Sequence, residues 1–256
     1  MSTSRHSEQI LDQFTRQAIP FATAPSIKDE AALRLIVEFS GAGPADTVLD
    51  VACGPGLVVC AFARVVKHAT GIDITPAMLD RARAHAEDQG LANVSWCLAD
   101  VLPLPWPDGA FTLVSSRFAF HHFLDPQAVL GEMVRVCAPG GTVLVADPAP
   151  AAEKAAAYDR IERLRDPSHV RALPLGGHLD LFRQAGLPEP RVTHYRLESD
   201  LTGLLSRSFP EPGDAEKIRA VILADLADDA LDLQVRRDGD RIRLGHPIAV
   251  LAARRS

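Results

Sequence analysis

Residues 48–56 read Val-Leu-Asp-Val-Ala-Cys-Gly-Pro-Gly, and this stretch decides the fold. β-favouring residues lead to Asp50 and a glycine-containing turn, and an apolar helical stretch follows over 57–66. The order predicts a strand, a tight loop and a helix start, with Asp50 at the carboxyl end of the strand. Gly54 and Gly56 lack a Cβ, so we expect the backbone there to approach a ligand closely. An acid beside these glycines indicates a nucleotide-like ligand that is cationic or rich in hydroxyl groups.

Strands and helices alternate from this stretch outward, which predicts a parallel sheet with helices on both faces. After residue 150 the alternation loosens, although further strands are predicted near 190–198 and 247–253. The earlier strands are expected near 47–51, 69–73, 93–97, 110–116 and 142–147, and the helices between them near 57–67, 76–88 and 126–137.

The length of 256 residues fits a single domain with additions. We predict three parts: an N-terminal helical cap over 1–45, a ligand-binding core over 46–150, and later strands with substrate-cap insertions over 151–256. The cap would contain helices near 5–18 and 28–39, the second capped by Ser26. Residues 1–25 are expected to close over a bound ligand as a mobile lid.

Composition and charge exclude several classes of function. A net charge of −6 argues against a sequence-blind nucleic-acid binder, which needs a basic surface. The polar N-terminus lacks a signal-peptide core, and no apolar run of about 18 residues occurs, so we expect a cytoplasmic protein without a membrane span. The four cysteines form no C-x-x-C pair, and Asp147 has no neighbouring acid or amide, so neither zinc nor magnesium is expected.

Three successive strands are predicted to end in an acid: Asp50, Asp73 and Asp100. The carboxyl ends of parallel strands meet at one edge, where ligands bind. Asp73 lies 19 residues after Gly54, where an acid accepts hydrogen bonds from ribose hydroxyls. A solvated loop acid explains any one of the three but not all of them. A dinucleotide enzyme is the rival, but its third glycine position is Val59 here.

The chain resembles the class I S-adenosylmethionine-dependent methyltransferases, in particular the type 11 branch that includes the ubiquinone/menaquinone-biosynthesis C-methyltransferases. Residues 48–56 are similar to motif I of that family. Gly-Ile-Asp-Ile-Thr-Pro-Ala-Met over 71–78, the Pro-Trp-Pro segment within 104–114, Phe-His-His-Phe-Leu-Asp-Pro over 120–126 and Arg-Val-Cys-Ala-Pro-Gly-Gly over 135–141 follow in the family's order. The resemblance covers about residues 28–148.

The resemblance implies an α/β fold with a doubly wound, seven-stranded, mostly parallel Rossmann-like sheet and an antiparallel C-terminal strand. It also implies S-adenosylmethionine as cofactor, with S-adenosylhomocysteine as product. Each part of the cofactor is assigned residues: Asp50 and the backbone of Ala52, Cys53 and Gly54 at the amino-acid portion, Asp73 at the ribose, Ile74 and Met78 at the adenine faces, Asp100 and the backbone of Val101 at the adenine amino group, and Ser116 or Arg117 at the methionine end.

Two histidines and a later segment are candidates for chemistry on the acceptor. His121 and His122 follow the fourth predicted strand, and either is a candidate base; the alternative is that they only orient a loop.

Further along the chain, four residues are candidates for binding the acceptor. Arg165, His169 and Arg171 are candidates for holding an anionic group of the substrate, although Arg165 and Asp166 equally suit a local structural pair. Asp147 either contacts substrate or caps the next helix.

We therefore expect methyl transfer to a small-molecule acceptor, with carbon or oxygen favoured by the resemblance. Residues 115–118 read Ser-Ser-Arg-Phe, which disfavours methylation of DNA bases or glutamine amides. The alternative is an enzyme that binds S-adenosylmethionine for a non-methylating reaction, such as a lyase, cyclase or pericyclase. A scaffold protein and a hydride-transferring dehydrogenase are weaker alternatives. Monomer and homodimer both stay open.

Overall fold

The computed structural model describes residues 3–256, with side chains from Arg5 onward. Strands and helices alternate regularly up to Pro148. The strands are β1 (Thr47–Val51), β2 (His68–Asp73), β3 (Val94–Leu98), β4 (Phe111–Arg117), β5 (Cys137–Pro148), β6 (Arg191–Asp200), β7 (Arg236–Asp238) and β8 (Arg241–Arg254). The helices are α1 (Thr3–Thr23), α2 (Glu30–Ser40), α3 (Leu57–Ala63), α4 (Pro76–Asp88), α5 (Pro126–Val136), α6 (Ala155–Arg165), α7 (Leu175–Gln184), α8 (Leu201–Ser206) and α9 (Asp214–Ala224).

One sheet runs through the molecule in the order β3-β2-β1-β4-β5-β8-β6. The first five strands are parallel, and β8 pairs antiparallel with both β5 and β6. The order reverses at β1 and β4, as in doubly wound folds. The predicted fold class is confirmed, and the short strand β7 adds an eighth strand against β8.

Helices cover both faces of this sheet, so its central strands are buried on both sides. Neighbouring residues of β4 enter opposite cores. Leu113 packs with Ile36 of α2 and Phe62 of α3. Val114 packs with Met133 of α5 on the other face. A parallel sheet covered in this way leaves its carboxyl edge as the open place for a ligand.

Several predicted boundaries differ from the structure for local reasons. α2 begins after Asp29, not Ser26, because the Asp29 carboxylate accepts from the amides of Ala31 and Ala32. α3 ends at Ala63 rather than near residue 67. The Pro-Gly-Gly segment at 139–141 lies within β5, because Gly140 and Gly141 exchange backbone hydrogen bonds with Arg255.

Three helices, α1, α6 and α8, supply residues to the walls of cavities at the sheet and are called the cover below. α6 and α8 belong to a third apolar core, in which Tyr158, Leu204 and Leu244 are buried. α1 is longer than the helix predicted over 5–18. The predicted lid over 1–25 includes residues 1 and 2, which lie outside the described residues. No helix within residues 3–256 has the length and apolarity to cross a membrane.

Candidate functional site

Asp50 lies in the middle of the sheet, where the order of strands reverses. It pairs in register with Gly71 and Ser115 of the neighbouring strands and is 1% exposed. The Ser115 hydroxyl donates to its carboxyl oxygen at 2.7 Å. Burial raises the pKa of Asp50 to about 7, against the opposing effects of Ser115 and the charge of Arg117. The carboxyl is therefore ready to ionise when a cation binds beside it.

Asp73 connects the loops that follow β1 and β2. The Gly54 amide donates to its Oδ2 and the Thr75 amide to its Oδ1, both at 2.8 Å. Burial raises the pKa of Asp73, and these amide bonds oppose the rise. Thr75 holds the N-cap position of α4, but its side chain makes no capping hydrogen bond. Asp73 thus joins the loop after β1 to the turn that precedes α4.

The two glycines of the first loop have different roles. Both have a positive φ, 52° at Gly54 and 74° at Gly56. A Cβ on Gly54 would meet only the Met78 sulfur, at 3.9 Å, so this backbone faces open space. A Cβ on Gly56 would lie 2.6 Å from Trp96 and 2.8 Å from Ala82. Gly56 is therefore required by packing against β3 and α4, and it is not part of the cavity wall described next.

A cavity of about 370 Å³ runs along this edge of the sheet. Its volume lies within the usual range for small-molecule sites. Ser116 stays outside its wall, because its hydroxyl is buried in the sheet and donates to Val51 O at 2.9 Å. The remaining residues predicted to surround the cofactor are brought together in the wall: Asp50, Ala52, Cys53, Gly54, Asp73, Ile74, Met78, Asp100, Val101 and Arg117.

Arg117 is the one of these residues with an unsatisfied buried donor. Its guanidinium is stacked over the Phe118 ring at 4.2 Å, and its Nη1 donates to Ile27 O at 3.1 Å. Nε approaches the Tyr195 hydroxyl at 3.4 Å. The side chain is 9% exposed, and Nη2 is buried with no partner among the described residues. An anion in the cavity would satisfy this donor.

His121 and Asp147 form a buried pair between β5 and the turn after β4. His121 Nδ1 lies 3.0 Å from Asp147 Oδ1. Burial lowers the pKa of His121 to about 3 and raises that of Asp147 to about 7, so burial favours the neutral form of each. Neither residue lies in the wall of the large cavity. The structure thus places His121 against Asp147, and His121 lines the second, smaller cavity described below.

His122 lies in the wall of the large cavity. Its Nδ1 is 3.1 Å from Ser168 O, and a carbonyl only accepts, so Nδ1 carries the proton and Nε2 keeps its lone pair. The Ser168 hydroxyl donates to Asp166 at 2.5 Å. Burial lowers the pKa of His122 to about 3, while the charge of Asp166 opposes this. Phe14 of α1 packs edge-on against the ring at 5.0 Å.

A second cavity, of about 60 Å³, lies between the cover and the sheet. The two cavities share part of their walls: Phe14, Phe21, Ile27, Phe118 and His122. The far wall of the second cavity is polar and includes Tyr158, Glu162, Arg165, Arg207 and His246. A ligand in the second cavity would therefore meet one in the first beside Phe118 and His122.

The residues predicted to bind the acceptor are dispersed. Arg165 lies in the second cavity but pairs with Glu162 at 2.5 Å, not with Asp166. His169 Nε2 is 2.8 Å from Asp159 Oδ1. Arg171 is exposed, and neither it, His169 nor Asp147 lines either cavity.

Sequence reasoning missed several residues of the second cavity. Phe14 and Phe21 belong to the apolar stripe of α1, a pattern that marks a buried face but not what it covers. Tyr158, Arg207 and His246 come from three distant elements and carry no local motif. The Tyr158 hydroxyl lies 3.0 Å from His246 Nδ1. Over residues 3–256 there is no group of three or more His, Cys, Asp or Glu side chains placed to hold a metal ion.

Comparisons with known proteins identify the class. Residues 49–145 match the methyltransferase domain family. Over 187 residues the chain is 31% identical to an uncharacterized methyltransferase, YcgJ, of Bacillus subtilis, covering 72% of this chain and 74% of that protein. The chain therefore belongs to the methyltransferase family.

Solved structures share the fold of this chain. The crystal structure of YcgJ superposes with a TM-score of 0.79 at 24% identity, and the superposition covers 88% of this chain and 99% of the YcgJ chain. A putative methyltransferase from Bacillus halodurans gives 0.77 at 27% identity, with 88% and 98% covered. A demethylmenaquinone methyltransferase of Thermus thermophilus is 43% identical over 100 residues, which is 38% of this chain and only 45% of that protein.

Proposed function

We propose that this protein transfers a methyl group from S-adenosylmethionine to a small-molecule acceptor. The main observation behind the proposal is the cavity of about 370 Å³. Its wall combines acids from three strand ends with one buried arginine, whose Nη2 lacks a hydrogen-bond partner among the described residues. These groups match a ligand with an ammonium, a carboxylate and ribose hydroxyls. An apolar ligand would leave the buried Nη2 of Arg117 unpaired, at a cost of about 1–3 kcal/mol.

The methionine end of the cofactor would lie between Asp50 and Arg117. Ionised Asp50 would accept from its α-ammonium, and the free Nη2 of Arg117 would donate to its carboxylate. The positive φ of 55° at Ala52 and the absence of a Cβ on Gly54 keep the loop backbone against this ligand. The two charges thus select a zwitterionic end group.

The nucleoside would extend along the same edge toward β3. Each oxygen of Asp73 already accepts one amide, which leaves one lone pair on each for a ribose hydroxyl. Ile74 and Met78 supply apolar contact for the base, and Asp100 lies in the wall beyond them. Asp100 is exposed and bonds the Val101 amide at 2.6 Å, so a further oxygen is available for an amino group.

When bound, the cofactor supplies a methyl group already activated by its sulfonium. The chain contributes orientation and the exclusion of water, and α1 with Phe14 and Phe21 covers the place where the cavities meet. A hydroxyl acceptor would hydrogen-bond to His122 Nε2, which accepts and orients it; burial lowers the pKa of His122 to about 3 and so disfavours full transfer of the proton, an effect that Asp166 only partly opposes. An acceptor that is already anionic would need no base.

The test is calorimetric titration with S-adenosylmethionine and S-adenosylhomocysteine, followed by a screen for acceptors that gain one methyl in mass. Asp73→Ala is the test variant, and Asp80→Ala is the control, because Asp80 is an exposed acid on α4 paired only with Arg83. Micromolar binding that is lost in the first variant alone supports the proposal. Absence of binding to either ligand overturns it. An acceptor converted without mass gain would assign the cofactor to a non-methylating reaction.

A further inference from the structure

We infer that the second cavity binds a compact anionic group of the methyl acceptor, in the simplest case a carboxylate, and that Arg207 is the residue that recognises it. This inference rests on the proposed function, since it deepens the description of the acceptor. The sequence suggested His169 and Arg171 as binders of an anionic group. The site inferred here uses instead Arg207, which no sequence motif identifies.

Arg207 is buried without a directly bound carboxylate among the described residues. The residue is 7% exposed and follows α8 at its carboxyl end. Nη1 donates to Gly203 O at 2.9 Å and Nη2 to the Ser199 hydroxyl at 2.8 Å, both neutral acceptors. Within the described part of the chain, no carboxylate oxygen comes within 4.0 Å of this guanidinium. A buried charge held by neutral groups alone is costly unless a ligand completes it.

The other charges of the second cavity are already matched. Arg165 takes the carboxylate of Glu162, with bonds of 2.5 and 3.1 Å. Asp166 accepts from Ser168 and from the Gln17 side chain. Burial and the positive charge of Arg165 lower the pKa of Arg207 to about 10, against the opposing charges of Asp200 and Glu162, neither of which pairs with it directly. The guanidinium stays protonated at neutral pH, so the polar wall holds a cation without a directly bound anion.

A purely structural role for Arg207 explains less. The bond to Gly203 O helps to close the last turn of α8, as basic residues do at helix carboxyl ends. Such a contact stabilises by about 0.3–1 kcal/mol and does not require burial. Capping alone gives no reason for a guanidinium to line a cavity that adjoins the cofactor site.

The position of the second cavity also limits the size of the acceptor. About 60 Å³ corresponds to space for roughly four to six water molecules. The wall shared with the first cavity contains Phe118 and His122, so the reacting atom of the acceptor would lie there. Its anionic group would point away from the methyl group, toward Arg207. The acceptor class is therefore a small carboxylate whose nucleophile is only a few bonds from the anion.

The experiment uses full-length protein saturated with S-adenosylhomocysteine, which blocks the first cavity and its Arg117. Benzoate is titrated as the probe and benzamide as its neutral counterpart, with binding followed by ligand-observed NMR. We expect benzoate to bind at least tenfold more tightly than benzamide, and Arg207→Leu to weaken benzoate at least tenfold. Arg207→Lys should retain part of the preference. Arg160→Leu, which removes an exposed arginine of α6, should change nothing.

The outcomes separate the two proposals. Equal binding of benzoate and benzamide, or benzoate binding that Arg207→Leu leaves unchanged, overturns the anion site. The affinity for S-adenosylhomocysteine should stay within twofold in both Arg207 variants, which also shows that they fold. If the parent protein does not bind S-adenosylhomocysteine, the proposed function fails, and the same titrations on unliganded protein still test whether Arg207 selects the anion.

Discussion

The carboxyl edge of the sheet, where the proposed cofactor site lies, is called the cofactor edge here. It satisfies its buried polar groups in a different way from the cover. At the edge, Asp73 accepts amides from residues 2 and 19 positions away. In the cover, His6 Nε2 bonds His122 O across 116 residues, and Gln17 bonds Asp166 across 149. Asp73 is bonded by loops near it in the chain, and the bond between Ser115 and Asp50 joins neighbouring strands of the sheet, whereas α1 depends on docking against segments far away in the chain.

The inner face of α1 shows the consequence. Gln9, Gln13 and Gln17 are spaced four residues apart and so share one face of the helix. Each has a buried side-chain polar atom without a partner among the described residues: Oε1 of Gln9, Nε2 of Gln13 and Oε1 of Gln17. These groups would regain hydrogen bonds to water if α1 moved away. We infer that the carboxyl edge of the sheet is preformed while α1 is the part of the cover that opens.

The largest expected effect is on the preformed edge. Asp73→Ala removes a ribose acceptor and releases the Gly54 loop, each a charge-assisted bond of about 1.5–3 kcal/mol. We expect the affinity for S-adenosylhomocysteine to fall by about 100-fold or more, because each 1.4 kcal/mol is tenfold. Calorimetric titration measures this affinity, and thermal unfolding checks that the variant is folded. A loss below fivefold would contradict the role of this acid.

The next effect is a pH dependence of cofactor binding. The pKa of Asp50 is raised to about 7 by burial, and the bound ammonium needs the ionised form. Affinity should therefore fall by up to tenfold per pH unit below 7 and level off above it, with a proton released on binding.

Titrations in two buffers of different ionisation enthalpy measure that proton. Asp50→Asn should bind more weakly and with no such slope, which separates Asp50 from Asp147, whose pKa is also raised to about 7. The raised pKa further means that ionising Asp50 costs stability, so its contribution is full below pH 3.8 and is lost as the pH rises through about 7. If the affinity of Asp50→Asn still falls as the pH is lowered below 7, a group other than Asp50 is responsible for the pH dependence.

A smaller effect is expected in the cover. Gln13→Leu removes a buried unpaired amide and should stabilise the closed position of α1 by about 1 kcal/mol. Amide exchange over residues 5–23 should slow about fivefold, and cofactor entry should slow with it. Glu8→Ala, on the exposed side of α1, is the control. Unchanged exchange in Gln13→Leu would show that the unpaired amides do not govern opening.

The smallest effect concerns the backbone of the edge. Ala52 has a φ of 55°, which costs a residue with a Cβ about 1 kcal/mol, whereas glycine adopts it freely at some entropic cost. Ala52→Gly should raise stability by at most about 0.5 kcal/mol and leave cofactor affinity unchanged. Ala84→Gly, at an exposed position of α4, should instead lower the free energy of unfolding by about 1 kcal/mol. Chemical denaturation compares the two variants.

The sequence alone determined the sheet and most of the cofactor edge. The residues of motif I, Asp73 and Asp100 lie at strand ends, and strand ends follow from short-range patterns of apolar residues, glycines and acids. The same patterns did not show that Gly54 and Arg117 line the cavity whereas Gly56 and Ser116 do not. Those distinctions depend on Trp96 and Val51, which approach from other strands.

Only the tertiary structure decided the acceptor side. One pairing there is an exception, because Arg165 and Glu162 are three residues apart on α6 and local helical spacing brings them together. Arg207, Tyr158 and His246 meet because α6, α8 and β8 pack around one small apolar core. No local pattern records such a meeting, since each contact joins residues far apart in the chain. Short-range order therefore specifies where the cofactor would bind, and long-range packing specifies what would be brought to it.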